Sequence, residues 1–269
     1  MTTDNAFTGS IPEIYDQLLV PIIFHGHAVD LAKRVAKTCP RRVLETAAGT
    51  GVLTRALTEQ LPPNARIVAT DLNQPMLDRA RARKASNEQI EWKRADALAL
   101  PFDNATFDAV ACQFGVMFFP DKVQGFKEAR RVLSRQGHFV FNTWDRISEN
   151  EFADTVTEAF QTLFPHDPPD FLVRIPHGYH DESLIEGHLR AAGFSEISIE
   201  AVRGTSKAAS SQEASVAYCQ GTPMRLEIEA RDPMKLEEAT QLVPEALAQR
   251  FGRGAIEGRI SAIAVTAAW

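Results

Sequence analysis

Residues 42–51 have the sequence RVLETAAGTG, a short apolar run followed by a turn of small residues with two glycines. The run Arg42–Glu45 predicts a buried β-strand, and a helix is expected to begin near Val52. Small residues let the backbone approach a ligand closely, and glycine supplies backbone angles that other residues resist. Taken alone, this segment is either a tight βα turn that binds nothing or one wall of a ligand site.

Two further turns carry a carboxylate directly after a predicted strand. Asp71 follows the strand Arg66–Thr70, and Asp96 follows the strand Gln89–Arg94. Asp71 is suited to accepting hydrogen bonds from ribose hydroxyls, and Asp96 could accept from an exocyclic amine. Each acid could instead cap a helix or lie in a solvated loop. Three such turns at successive strand ends favour a ligand site, because open α/β sheets bind ligands there.

Outside these turns, short β-rich segments alternate with longer helical stretches. Two more strands are predicted at Phe107–Gln113 and His138–Thr143. Between them a helix is predicted at Asp121–Arg135, with Asp121 as its cap and Gly137 just beyond its end. This alternation predicts an α/β fold with a parallel sheet and crossover helices.

The chain loses this regular alternation after Asp145. The elements predicted there are a helix that runs into a proline-rich break at residues 165–169, a helix at Glu182–Ala192, a strand at Ile197 and Ile199, a helical block at Ser211–Phe251 and a strand at Ile260–Ala267. We expect an N-terminal helical lid over residues 1–40. Residues 41–269 would form the second domain, with helical insertions near residues 148–180 and 211–251.

The composition excludes several classes of protein. With 29 Lys and Arg against 35 Asp and Glu the formal charge is −6, and no cationic stripe is present, so no nucleic-acid partner is expected. The acidic N-terminus and the lack of a long apolar run predict a cytoplasmic protein without a membrane span. Cys39, Cys112 and Cys219 form no CxxC pair, so no zinc ribbon or disulfide framework is expected. Cys112 is predicted to be a buried thiol.

The order and spacing of these residues resemble the class I S-adenosylmethionine-dependent methyltransferases, especially the small-molecule methylases of ubiquinone and menaquinone biosynthesis. The resemblance extends from about Arg41 to Trp144, and more loosely to Phe194. The matching segments are residues 43–51, residues 70–76, residues 95–97 with 100–102, residues 107–113, and Glu128 with residues 130–133. It implies a Rossmann-like, doubly wound, mostly parallel seven-stranded sheet with helical lid insertions. It also implies S-adenosylmethionine as cofactor, S-adenosylhomocysteine as product and a small-molecule substrate.

The resemblance further assigns cofactor contacts to the turns and to the fourth strand. Glu45, Ala47, Gly49, Thr50 and Gly51 would hold the methionine part, Asp71 the ribose, Leu72 and Met76 the adenine faces, Asp96 and Ala97 the adenine edge, and Gln113 and Phe114 the floor near the sulfonium. The chain departs from the family pattern at two places. Ala47 replaces a usual glycine, which is compatible with binding if its φ is negative. Residues 135–137 replace a common Pro-Gly-Gly turn.

Two other functions remain open at this point. An NAD(P)-dependent oxidoreductase also needs a glycine turn and a later acid, but Thr54 occupies the place of the third glycine or alanine of its fingerprint. Glu45 and Asp96 would also lack a role in such an enzyme. A regulatory protein that binds the cofactor without turnover is the second alternative, because fold does not determine function. A nucleic-acid amino-methylase is disfavoured, since residues 113–116 are QFGV.

Methyl transfer by in-line displacement depends mainly on orientation, which can contribute up to about 7–11 kcal/mol. No catalytic base is required or assigned, and the sequence carries no signal for an oligomeric state. His25, His27, His177 and His180 lack a complete zinc ligand set, so we expect loop or surface histidines and no metal.

The acceptor pocket is expected to be apolar or aromatic. Its candidate residues, each of which could equally belong to the core, are Tyr15, Phe24, Phe118, Trp144, His177 and Tyr179. The segments Ile11–Ala36, Ser148–Tyr179 and Ser211–Phe251 are predicted to close over the cofactor and exclude water.

Overall fold

A computed structural model describes residue 4, residues 6–83 and residues 89–269. The predicted lid comprises residues 1–40, and its residues 1–3 and 5 lie outside the described range. Within the described residues the sheet has seven strands in the order β3-β2-β1-β4-β5-β7-β6. The strands are β1 (Arg42–Glu45), β2 (Arg66–Asp71), β3 (Ile90–Arg94), β4 (Phe107–Gln113), β5 (Leu133–Trp144), β6 (Glu196–Ala208) and β7 (Ile256–Ala268).

The sheet is doubly wound. β1 pairs in parallel with both β2 and β4, β2 pairs in parallel with β3, and β4 pairs in parallel with β5. The chain therefore moves outward from β1 in one direction and then, from β4, in the other. This confirms the predicted Rossmann-like α/β fold, and it puts the switch point of the topology between β1 and β4, where such sheets bind ligands.

Helices connect the strands. In the described part of the chain they are α1 (Ile11–Ile14), a π-helix (Tyr15–Phe24), α2 (His25–Lys37), α3 (Val52–Gln60), α4 (Gln74–Ala82), α5 (Lys122–Val132), α6 (Glu151–Leu163), α7 (Phe171–Arg174), α8 (Glu182–Ala191), α9 (Ser211–Gln220), α10 (Met224–Arg231) and α11 (Lys235–Phe251), with short 3₁₀ turns at Val116–Phe118 and Ile147–Glu149. None of the helices in these ranges has the length and apolar character needed to cross a membrane.

The chain divides into two compact units. The first contains residues up to Gly26, Trp144–Gly178 and Arg203–Ser261. In it the π-helix packs on α9, and α11 packs on both α9 and α6, so helices from all three predicted lid segments pack on one another. The second unit contains His27–Thr143, Tyr179–Val202 and Ala262–Trp269. It includes β1 to β4 and helices α3 to α5.

Helix α5 begins where the local sequence pattern predicts but ends earlier. The predicted cap is confirmed, because the Asp121 carboxylate accepts a 2.9 Å bond from the backbone N–H of Gln124. The predicted end at Arg135 is wrong, since the backbone becomes extended at Leu133. Leu133 is fully buried and pairs with Phe107 of β4. Gly137 and the expected turn at residues 135–137 consequently lie inside β5, because strand pairing replaces helix continuation there.

Candidate functional site

The turn between β1 and α3 depends on left-handed backbone conformations. Gly49 has φ of +57° and Gly51 has φ of +79°. A Cβ atom on Gly51 would lie 2.7 Å from Cη2 of Trp92 and 3.3 Å from Cβ of Ala80. Gly51 is therefore required both for its backbone angle and for the close approach of α4 and β3. By contrast, a Cβ on Gly49 would meet only Cε of Met76, at 3.6 Å.

Ala47 also adopts a left-handed conformation, with φ of +52°. The expectation of a negative φ was therefore wrong. This conformation costs a non-glycine residue about 1–2 kcal/mol. The neighbouring residues impose it: the Thr46 N–H donates to the Ala111 carbonyl and the Ala48 N–H to the Thr70 carbonyl, each at 2.9 Å. The turn is thus held to β4 on one side and to β2 on the other, with a strained residue between.

Asp71 connects the first turn to the second. Its Oδ2 accepts a 2.8 Å bond from the Gly49 N–H, and its Oδ1 accepts a 2.7 Å bond from the Asn73 N–H. Burial raises the pKa of Asp71, and these backbone donors oppose that shift. A carboxylate offers about four lone-pair positions, so holding the loop is compatible with accepting ribose hydroxyls.

Glu45 is buried at the end of β1, with 1% of its surface exposed. The Thr54 hydroxyl donates a 2.6 Å hydrogen bond to its Oε2. Burial raises the pKa of Glu45 to about 8, with Asp71 acting in the same direction and Thr54 and Arg55 opposing it. In the sequence, Thr54 is recognisable only as a departure from the dinucleotide fingerprint. Its position three residues after Gly51, in the first turn of α3, is the signal for this contact.

The third turn is held to the second. The Ala95 N–H donates a 3.1 Å bond to the Asp71 carbonyl. Asp96 is exposed, and its carboxylate accepts from the Leu98 N–H at 2.9 Å. Ala97 and Leu72 are half-buried, and Met76 is buried.

At the end of β4, Gln113 and Phe114 are both buried. The Phe114 N–H donates to the Asn142 side-chain oxygen at 3.0 Å, which fixes the end of β4 to β5. Asn142 was not recognised from the sequence, since it lies within an ordinary strand pattern. The structure thus places all twelve predicted cofactor residues in the second unit, at the carboxyl ends of β1 to β4.

The four histidines differ in their environments. His25 is exposed and His180 is half-buried, but His27 and His177 are buried. His27 lies in α2 with its ring edge-on to Phe114 at 5.6 Å, and burial lowers its pKa to about 4 against the opposing effect of Asp30. The prediction of loop or surface positions was therefore wrong for His27, whereas His177 lies in a turn after α7 but is buried there. Within the described ranges, no three His, Cys, Asp or Glu side chains are grouped so that they could hold a metal ion.

The predicted pocket residues form two groups. In the first unit, the rings of Tyr15 and Phe24 are 5.0 Å apart, those of Phe24 and Trp144 are 5.6 Å apart, and those of Trp144 and His177 are 6.1 Å apart. We call these four residues the aromatic row. Tyr15 and Phe24 are the two ends of the π-helix, a rare conformation that often occurs at functional sites.

Phe118 and Tyr179 belong to the second unit. The ammonium of Lys122 donates to the carbonyls on either side of Phe118, at 3.1 and 2.8 Å, and lies 5.2 Å from the Tyr179 ring centroid. The Tyr179 hydroxyl is 3.0 Å from Nδ1 of His188. Lys122 therefore links the turn after β4 to Tyr179.

The second unit fits S-adenosylmethionine, the cofactor that the resemblance implies. An added Cβ on Gly49 would make an ordinary contact with Met76, and acids lie at or just after the ends of β1, β2 and β3. Thr50 is 1% exposed, and its hydroxyl has no hydrogen-bond partner among the residues that the structure describes. A polar ligand against the turn would supply that partner, which an empty βα turn would not.

Comparisons with known proteins agree with this geometry. A methyltransferase domain model matches residues 43–137. The chain is 38% identical over 127 residues to the demethylmenaquinone methyltransferase of Deinococcus radiodurans, covering 47% of this chain and 52% of that protein. It is 30% identical over 178 residues to the enzyme of the same name from Clavibacter sepedonicus, covering 63% and 71%. The matched regions thus span about half to seven tenths of these relatives.

The fold also has a solved counterpart. A protein from Bacillus halodurans C-125 superposes with a TM-score of 0.57 at 21% identity, covering 90% of this chain and 98% of the other. At 21% identity, this similarity shows only that the two proteins share a fold.

Proposed function

Because the chain belongs to the class I S-adenosylmethionine-dependent methyltransferases, we propose that it methylates a small aromatic acceptor of the quinone type. The aromatic row is the observation that carries this acceptor class. Four flat side chains in successive contact would suit a planar ring as a neighbour, and an aromatic contact with such a ring contributes about 0.5–1.5 kcal/mol beyond its burial. The relatives named for demethylmenaquinone support the same chemistry.

The second unit would hold the cofactor. Glu45 and the turn through Gly51 would bind its methionine part, Asp71 its ribose, and Met76 with Asp96 its adenine. When bound, the cofactor supplies a sulfonium methyl group that a nucleophile attacks in line. The bonds from Gly49 and Asn73 to Asp71 keep the loops in place before binding, so little ordering is needed afterwards.

Beyond binding the cofactor, the protein would contribute to catalysis by orienting the two reactants. Holding the acceptor and the methyl group in near-attack geometry is worth up to about 7–11 kcal/mol, which exceeds the contribution of a general base. His177 has a defined tautomer when neutral: the Asp145 carbonyl can only accept, so the 2.8 Å contact places the proton on Nδ1. Nε2 is then the accepting nitrogen, oriented by this bond within the aromatic row.

Calorimetry separates the main alternatives. We expect S-adenosylmethionine and S-adenosylhomocysteine to bind at micromolar concentrations and NAD and NADP to give no heat at about 1 mM. The opposite result would support an oxidoreductase. Transfer of labelled methyl to a reduced naphthoquinone, and not to a nucleoside or sugar, would then support the acceptor class. Cofactor binding without transfer to any aromatic acceptor would favour the regulatory alternative.

A further inference from the structure

A groove lies in the second unit, at the amino ends of the parallel strands. Leu133 lines it and pairs with Phe107 at the start of β4. The predicted cofactor residue Gln113 ends the same strand, six residues or about 20 Å away. The groove is open on one side and has a volume of about 450 Å³, enough for a small molecule. It is therefore separate from the site proposed for the cofactor.

The groove is cationic. Lys127, Arg130, Arg131 and Arg135 line it, and none of its lining residues is acidic. Arg131 is neutralised by Glu128 at 2.8 Å. The other three cations form no ion pair with any residue in the described ranges. Since the whole chain carries a net charge of −6, this concentration of positive charge is a local feature.

Arg130 is held in a fixed position in this groove. Its guanidinium lies 3.6 Å from the centroid of the Trp269 ring. A Cβ atom on Gly193 would lie 3.0 Å from both Cζ and Nε of Arg130, so glycine at this position leaves room for the guanidinium. The Trp269 indole is itself anchored by a 2.9 Å bond from Nε1 to the Ser134 carbonyl. Nε of Arg130 is buried without a hydrogen-bond partner among the described residues.

We propose that this groove binds a phosphate-bearing anion as a second ligand of the protein. Three uncompensated cations match a multiply charged group, whereas a single carboxylate would leave two of them without a counter-charge. The planar fork of an arginine also suits phosphate oxygens, which it can bind in pairs. Because the Arg130 guanidinium already packs on the Trp269 ring, binding would require little further side-chain ordering.

The test titrates the full chain with inorganic pyrophosphate and follows the indole N–H signal of Trp269 by NMR, assigned with Trp269→Phe. We expect the signal to shift with a saturable curve, and Arg135→Glu to weaken binding by about tenfold or more. Arg203→Glu is the matched control: Arg203 is exposed on β6 outside the groove, and its reversal should change the affinity by less than about twofold.

A lack of response of the Trp269 signal up to about 10 mM pyrophosphate would overturn the proposal. Equal losses in Arg135→Glu and Arg203→Glu would also overturn it, because they would show attraction by bulk charge alone. Vesicles containing phosphatidic acid then identify the source of the phosphate. If the protein sediments with the vesicles and Arg135→Glu abolishes this sedimentation, the ligand is a lipid headgroup. If the protein binds pyrophosphate but does not sediment with the vesicles, the ligand is a free phosphate compound.

Discussion

Thr54 donates a 2.6 Å hydrogen bond to Glu45, and both side chains are buried. This bond joins the first turn of α3 to the end of β1 across the glycine turn. Its removal by Thr54→Val leaves a buried carboxyl oxygen without its donor, so we expect the free energy of unfolding to fall by about 1–3 kcal/mol in urea titrations at neutral pH. Thr58→Val is the control on the same helix, because its hydroxyl donates to the Arg55 carbonyl of α3 itself. Equal losses in the two variants would contradict a special role for Thr54.

The stability of the protein should depend on pH through Glu45. Burial raises its pKa from 4.5 to about 8. Between these values the folded chain holds a proton that the unfolded chain has released, so stability falls as the pH rises, by about 1.4 kcal/mol per unit from this group. The contribution is complete below the unfolded pKa and is lost as the pH passes about 8. We therefore expect the stability of the wild type relative to Glu45→Gln to decrease between about pH 5 and pH 8. If the stabilities of the wild type and Glu45→Gln changed with pH in parallel, the raised pKa would not belong to Glu45.

Ala47→Gly should stabilise the protein. Glycine removes the cost of about 1–2 kcal/mol for the left-handed φ of +52°. It also lowers stability by about 0.4–1 kcal/mol, because glycine gives the unfolded chain more conformational freedom. The net gain should therefore lie between about 0 and 1.6 kcal/mol in chemical denaturation. Ala99 is exposed and does not have a positive φ, so Ala99→Gly should have the opposite sign. A loss of stability in both variants would show that Ala47 is not strained.

Asp71→Ala should weaken the binding of S-adenosylhomocysteine by about 1.5–3 kcal/mol, because ribose hydroxyls and the Gly49 N–H lose a charged acceptor. Calorimetry provides the measurement. Asp78→Ala removes an exposed acid of α4 and should leave the affinity within about twofold of the wild type. An unchanged affinity in Asp71→Ala would remove Asp71 from the cofactor site.

The lid hypothesis remains a prediction for hydrogen exchange. We expect backbone amides in the segments Ile11–Ala36, Ser148–Tyr179 and Ser211–Phe251 to exchange more slowly with saturating S-adenosylhomocysteine, while β1 and β4 change little. Closure of the segments over a ligand would produce this contrast. Identical exchange in the presence and absence of the ligand would show that they are ordinary packing elements.

The sequence by itself determined the fold class and the candidate cofactor turns. The bounds of β1 and β4 agree with the predicted strands, and β2 and β3 differ by one residue. These features could be predicted because they depend on local patterns: apolar runs of strand length, glycines where the backbone must turn, and acids directly after a strand. The order of the turns along the chain then indicated a shared ligand site.

Only the tertiary structure decided the features that depend on distant neighbours. The φ of Ala47 follows from bonds that hold the flanking residues to β2 and β4, and α5 ends early because Leu133 pairs with Phe107. His177 is buried through contacts with residues more than thirty positions away. Non-local pairing and burial determine these backbone angles and protonation states. A short window of sequence cannot predict them, because the groups responsible come into contact only after the chain has folded.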